Sequence, residues 1–336
     1  MVISQQHKAL TVSGNFTRRH IMKNLFTIFL LLSLHQLNAQ TADGSLSKAE
    51  TDSLIARYCK VLNQTYFNKA LSKEITTLLQ QKLKAGEFYN ISQVTDRLSL
   101  LLRKITNDNH FYIGINKPAD TATIVEATEP EIEIENKNGG FSEVKIINNN
   151  IGYIKWNEFI ADDESFQKTI AALQFIKGCK YIIFDLSECP GGQGEMGGFV
   201  NSHLFKDKTY QDLLRKKCNG ESEWHQSEVP YNYSNGPKFY DIPVFVIVSK
   251  HTASAAEYFA LTIKEMKRGV VLGETTGGAG NPSIVVTFNN YFAQIPVCEI
   301  VTKDGKTIEG KGVIPNVRLT SDNWLNETIE YIKNYR

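Results

Sequence analysis

The run Val244–Val248 is apolar throughout, and a short polar turn carries it into residues 253–267, whose apolar positions recur at helical spacing. Apolarity without alternation reads as a buried strand, so this stretch predicts a core strand feeding directly into a helix. Ser254 stands where the turn becomes the helix. The simplest reading makes it the helix N-cap. The other reading makes it a nucleophile at a helix N-terminus, where free backbone N–H groups can stabilise an oxyanion.

Around this unit the text changes period. Up to about residue 105 it is helical. Ser47 and Glu50 form a capping-box pattern, with Leu54, Ile55, Tyr58, Val61 and Leu62 on one face. A second helix is expected over 72–85, ending at Gly86, and a third over 92–105. Residues 111–115 then read as a strand, and 131–135 as an alternating edge strand. Hairpins are expected at 143–156 and 283–295, strands at 181–186, 270–272 and 297–302, and helices at 162–176, near 194–204 and at 322–334. Residues 206–241 read as a long surface excursion suited to substrate contacts, Trp224 and His225 among them. Helices first, then mixed strand–helix–strand, predict an α/β (α+β) protein of two units. The expected divisions are a leader at 1–39, a helical domain at 40–116, a linker with an edge strand at 117–142, and a core at 143–336.

The leader is read from Lys23, the apolar run 25–34 and the small-residue exit Leu37-Asn38-Ala39. That run is short for a membrane span, so an exported protein, periplasmic or extracellular, without a stable anchor is expected. Thr17-Arg18-Arg19 fits a twin-arginine signal equally well, and either Met1 or Met22 serves as the start. A formal net charge of +1 gives no reason to expect nucleic acid as a partner. Cys59, Cys179, Cys189, Cys218 and Cys298 show no metal-ligand spacing, which leaves buried structural thiols as the simplest expectation and no metal site.

A serine nucleophile needs a base, an orienting group behind the base, and donors for the oxyanion. Past the leader the histidines are His110, His203, His225 and His251. His203 falls inside an expected helix and His225 in the excursion. Chemistry alone divides the role of base between His110, in a polar loop, and His251, three residues before Ser254.

Four segments carry a resemblance. They are Ile183-Phe184-Asp185-Leu186 through Pro190-Gly191-Gly192; Thr252-Ala253-Ser254-Ala255-Ala256-Glu257; Gly273-Glu274-Thr275-Thr276-Gly277-Gly278; and Glu309-Gly310-Lys311-Gly312-Val313-Ile314-Pro315-Asn316. Together, in this order, they resemble the S41 peptidases, the tail-specific and tricorn-type proteases. The lysine of the tail-specific Ser–Lys dyad falls on Ala279 here, so that dyad is missing. Asp108-Asn109-His110 is instead similar to the Asp-x-His element of the tricorn-type and interphotoreceptor-retinoid-binding-protein-like branch. The family's Arg and Asn before Pro-Gly-Gly are Ser187 and Cys189, and its closing Asp is Asn316.

The resemblance implies a ClpP/crotonase-like core behind an N-terminal helical bundle. It implies a serine peptidase with Ser254 as nucleophile, His110 as base and Glu309 orienting it. Backbone N–H groups of Gly191, Gly192 and Ala255 would form the oxyanion hole. No cofactor or metal is expected, the partner is a peptide or polypeptide, and an oligomer is compatible with the sequence. Two rivals stand beside this: a catalytically weak binder of apolar ligands on the same fold, and an esterase or amidase using the same residues.

Overall fold

The computed structural model describes residues 46–116, 138–148, 150–227 and 235–335. The expected leader and the strand at 131–135 lie outside them. Among the described residues no helix is long and apolar enough to cross a membrane.

The chain opens with α1 (Lys48–Thr65), α2 (Lys69–Lys84) and α3 (Val94–Thr106). The Ser47/Glu50 capping box forms as expected. α2 begins earlier than its apolar pattern, because Asn68 accepts from the Leu71 N–H and caps it there. β1 (Tyr112–Ile115) follows, then the hairpin β2 (Phe141–Ile147) and β3 (Ile151–Trp156), and α4 (Asp163–Phe175) capped by Asp162. Next come β4 (Tyr181–Asp185), α5 (Gly194–Leu204), β5 (Leu214–Cys218), β6 (His225–Gln226), β7 (Val244–Val248) and α6 (Ser254–Glu265). The chain closes with β8 (Gly269–Gly273), β9 (Ser283–Phe288), β10 (Tyr291–Pro296), β11 (Cys298–Thr302), β12 (Val317–Arg318) and α7 (Trp324–Lys333).

The central sheet has the order β12-β8-β7-β4-β3-β2, parallel from β12 to β3 and antiparallel at the β2 edge. Parallel strands need cover on both faces, and both are covered. One face packs Phe166, Phe199, Phe259 and Ile263 of α4, α5 and α6 onto Trp156, Phe184 and Val246. The other packs Ile332 of α7 with Phe245, Ile247 and Leu272. The fully buried β7 therefore sits at the centre of a mixed α/β layer structure, and it aims its C-terminal end at Ser254.

The helical bundle does not close on itself. Leu54, Tyr58, Leu62, Leu98 and Phe111 share one core with Phe288, Tyr291, Ala293 and Ile295 of β9 and β10. β1, β10 and β9 form the antiparallel sheet that α1 and α3 pack on. The chain after residue 280 thus completes the body that presents His110.

A third sheet, β11-β5-β6, pairs the expected strand at 297–302 with two strands, β5 and β6, that lie within the stretch read as a surface excursion. It carries a disulfide between Cys218 and Cys298, which stand opposite one another in register. The expectation of structural thiols holds for Cys59, Cys179 and Cys189, which are free and buried, but not for this pair.

Candidate active site

Ser254 is not the cap of its helix. Ala253 occupies the N-cap position, and Ser254 opens α6 with φ +50°. That left-handed conformation is uncommon for a residue with a β-carbon and stores strain where it occurs. Three contacts hold it. The Ala253 N–H donates to the Cys189 carbonyl, the Ser254 N–H donates to Glu257 Oε2 at 2.9 Å, and the Thr252 hydroxyl donates to the Leu186 carbonyl. The Ser249 hydroxyl also donates to the Ser187 carbonyl. The turn bearing the serine and the loop after β4 are therefore one locked unit. Ser187 and Cys189, which depart from the family pattern, anchor it through their backbone carbonyls. Asn316 anchors as well, pairing with both the N–H and the carbonyl of Val271.

Gly191 and Gly192 have φ +103° and +118°. A methyl group on Gly191 would lie 2.8 Å from Ser254 Cβ and 2.6 Å from the Ala253 carbonyl oxygen, so only glycine passes that close. The N–H groups of Gly191, Gly192 and Ala255 donate to no acceptor among the described residues. They remain available beside the serine.

Ser254, Ala255, Gly192 and His110 line one cavity of about 430 Å³. His251 is exposed and is not part of that lining. His203 is buried against the Pro237 carbonyl, and desolvation lowers its pKa to about 4. His225 is exposed on β6.

The loop after α3 delivers His110. Asp108, 1% exposed, accepts the His110 backbone N–H at 2.9 Å and lies 3.1 Å from His110 Nδ1 through the same Oδ1. Its other oxygen accepts from Asn281 Nδ2 at 2.9 Å. The immediate partner of the imidazole is therefore Asp108 and not Glu309. Glu309 stands in the same cluster: a ligand-type atom from each of Asp108, His110 and Glu309 lies within 4.8 Å of the others. Three such atoms could reach a common metal ion, although Asp108 Oδ2 and Glu309 Oε2 already accept protein N–H donors. Glu309 Oε2 accepts from the Gly280 and Asn281 N–H groups at 2.6 and 2.8 Å, while Oε1 is buried without a partner among the described residues. Burial and the nearby Asp108 charge raise the Glu309 pKa to about 7, against the pull of those N–H groups and of His110.

Glu257 belongs to the serine element, yet the sequence gives it no role. Fully buried, it accepts from the N–H groups of Ser254, Gly278 and Ala279 and from the Thr276 hydroxyl. It ties the start of α6 to the glycine loop that leads to Gly280 and Asn281. Ala279, where a dyad lysine would stand, meets this clamp through its backbone.

Residues 150–319 match the sequence model of peptidase family S41. The carboxy-terminal processing protease CtpA of Bacillus subtilis is 30% identical over 181 residues, which is 53% of this chain and 36% of that protein. The chain thus spans about a third of the length of that curated relative. Among solved structures, a lipoprotein from Streptococcus agalactiae aligns with a TM-score of 0.57 at 17% identity, covering 86% of this chain and 96% of that one. The tricorn protease aligns with a TM-score of 0.53 at 12% identity, over 86% of this chain and 37% of its own. At those identities the structural likeness shows the shared mixed α/β fold.

Proposed function

The chain belongs to peptidase family S41, and on that premise we propose that it is an exported serine peptidase using Ser254, His110 and a carboxylate pair, Asp108 with Glu309. The observation that carries this reading is that Ser254 and His110 line one cavity, with a buried carboxylate on Nδ1 of the imidazole.

In this mechanism Asp108 holds the Nδ1–H of His110, which leaves Nε2 as the base. Nε2 takes the Ser254 hydroxyl proton as the serine oxygen attacks the peptide carbonyl. N–H groups of Gly191 or Gly192 and of Ala255 receive the oxyanion. Protonated His110 then gives its proton to the leaving amine, and water attacks the acyl-enzyme by the same route. Glu309, once ionised as pH rises through about 7, adds negative charge near the imidazolium, and the Gly280 and Asn281 N–H groups fix its position. Export is supported by the leader-like residues 1–39 and by the Cys218–Cys298 disulfide, since such bonds persist in oxidising compartments. The name of the Bacillus relative makes the carboxy-terminal region of a polypeptide the first substrate to try.

The test compares wild type and Ser254→Ala on unfolded polypeptides and peptide libraries. Cleavage by the wild type alone is expected. Equal cleavage by both proteins overturns the assignment.

A further inference from the structure

β5 alternates, so Leu214, Lys216 and Cys218 share one face. Two of these three mark that face as inward. Leu214 is buried in an apolar cluster with Leu261, Ile300, Ile308 and Val313. Cys218 is bonded to Cys298. Lys216, between them, is a cation where the pattern calls for an apolar side chain. Its partners in register are Ile300 on β11 and His225 on β6, which stand on the same face.

Lys216 and Ile300 both line the cavity that holds Ser254 and His110. Lys216 is half-buried, and among the described residues no carboxylate lies within ion-pair distance of its ammonium. Glu195, at the start of α5 on the same cavity, is exposed and does not pair with it. A cation on a cavity wall with no carboxylate paired to it can receive an anionic group of a ligand. A peptide presented to Ser254 lays its neighbouring groups against these walls.

Resting on the peptidase reading, we propose that Lys216 is a specificity-determining residue that receives a carboxylate of the substrate. The carboxylate is either the terminal one of the chain being cut or that of an Asp or Glu side chain near the scissile bond. The ammonium is a compact charge on a flexible stem and serves either source. The disulfide two residues along the strand holds the wall in place.

The experiment measures binding to the Ser254→Ala protein, which keeps it independent of catalysis. Three pools of labelled ten-residue peptides are compared: neutral with a free carboxyl end, neutral with an amidated end, and amidated with Asp or Glu at internal positions. One carboxylate pool should bind about tenfold more tightly than the neutral amide pool, and which pool gains identifies the source. Adding Lys216→Met should erase the gain, whereas Lys216→Arg should retain most of it, with unchanged thermal unfolding in both. In proteins with intact Ser254, Lys216→Met should raise KM for the favoured peptide and leave kcat nearly constant. Equal binding of all pools, no binding of any, or discrimination that survives Lys216→Met overturns the proposal. Retained discrimination with no hydrolysis by the wild type overturns the peptidase reading instead.

Discussion

Asp108 Oδ1 meets His110 twice, at the backbone N–H and at Nδ1, so one buried carboxylate oxygen sets both the course of the loop and the angle of the ring. Asp108→Asn keeps the shape and removes the charge that stabilises an imidazolium. We predict a fall in kcat of roughly 10²–10⁴-fold. Circular dichroism and melting temperature should stay close to wild type. A variant with full activity would remove Asp108 from the chemistry.

Glu309 is expected to tilt stability with pH. Its folded pKa of about 7 exceeds the ordinary 4.5, so the folded state keeps a proton that the unfolded chain releases. The associated stabilisation is complete below about 4.5 and is lost as pH rises through about 7. Glu309→Gln retains a carbonyl acceptor for the Gly280 and Asn281 N–H groups and cannot titrate. Melting temperature measured from about pH 5 to pH 8 should fall more steeply in wild type than in Glu309→Gln. Parallel curves would show that Glu309 is ionised throughout.

Glu257→Gln places an amide NH₂ against backbone donors that now share a carboxylate. A cost of about 2–4 kcal/mol in urea unfolding is expected, since at least one buried donor loses its acceptor. Peptidase activity should fall with it, because the Ser254 N–H is among those donors. A stable, fully active variant would mean that the clamp is dispensable.

Gly191→Ala should leave the protein folded and without activity. Its methyl group meets the Ser254 β-carbon and the Ala253 carbonyl at 2.8 and 2.6 Å, in a backbone region hostile to side chains. Labelling with a serine-directed fluorophosphonate is the readout. Wild-type labelling rates would show that the loop moves aside.

Reducing the Cys218–Cys298 bond should lower stability by about 2–4 kcal/mol, since it closes a long loop. KM should also rise, because β5 and β11 both contribute to the cavity wall. Melting curves and kinetics with and without reductant check both. No change in either would make the bond incidental.

Much of this was legible where the determinants are local. Capping at Ser47 and the apolar runs of β4 and β7 predict their elements because each is decided within a few residues. What escaped depends on distant partners. Leu214–Cys218 alternates with Arg and Lys and reads as surface until β11, far along the chain, pairs with it. Ser254, His110, Gly191, Gly192 and Ala255 were named from residue type and resemblance. Asp108 carried its own signal, an aspartate two residues before a histidine whose N–H it accepts, but that spacing is also that of an ordinary Asx turn. Glu257 stands in the first turn of α6, where an acid is favourable to any helix, so residue type alone singles it out for nothing more. Its clamp on Gly278 and Ala279 becomes visible only in three dimensions.

The core shared by the bundle and the β9–β10 hairpin has a consequence in time. The loop with His110 is made before Phe288, Tyr291, Ala293 and Ile295, against which its body packs. On the proposed chemistry, a chain still emerging from the ribosome or threading unfolded through an export channel carries the nucleophile without a seated base. The order of synthesis thus places the nucleophile ahead of the packing that seats its base.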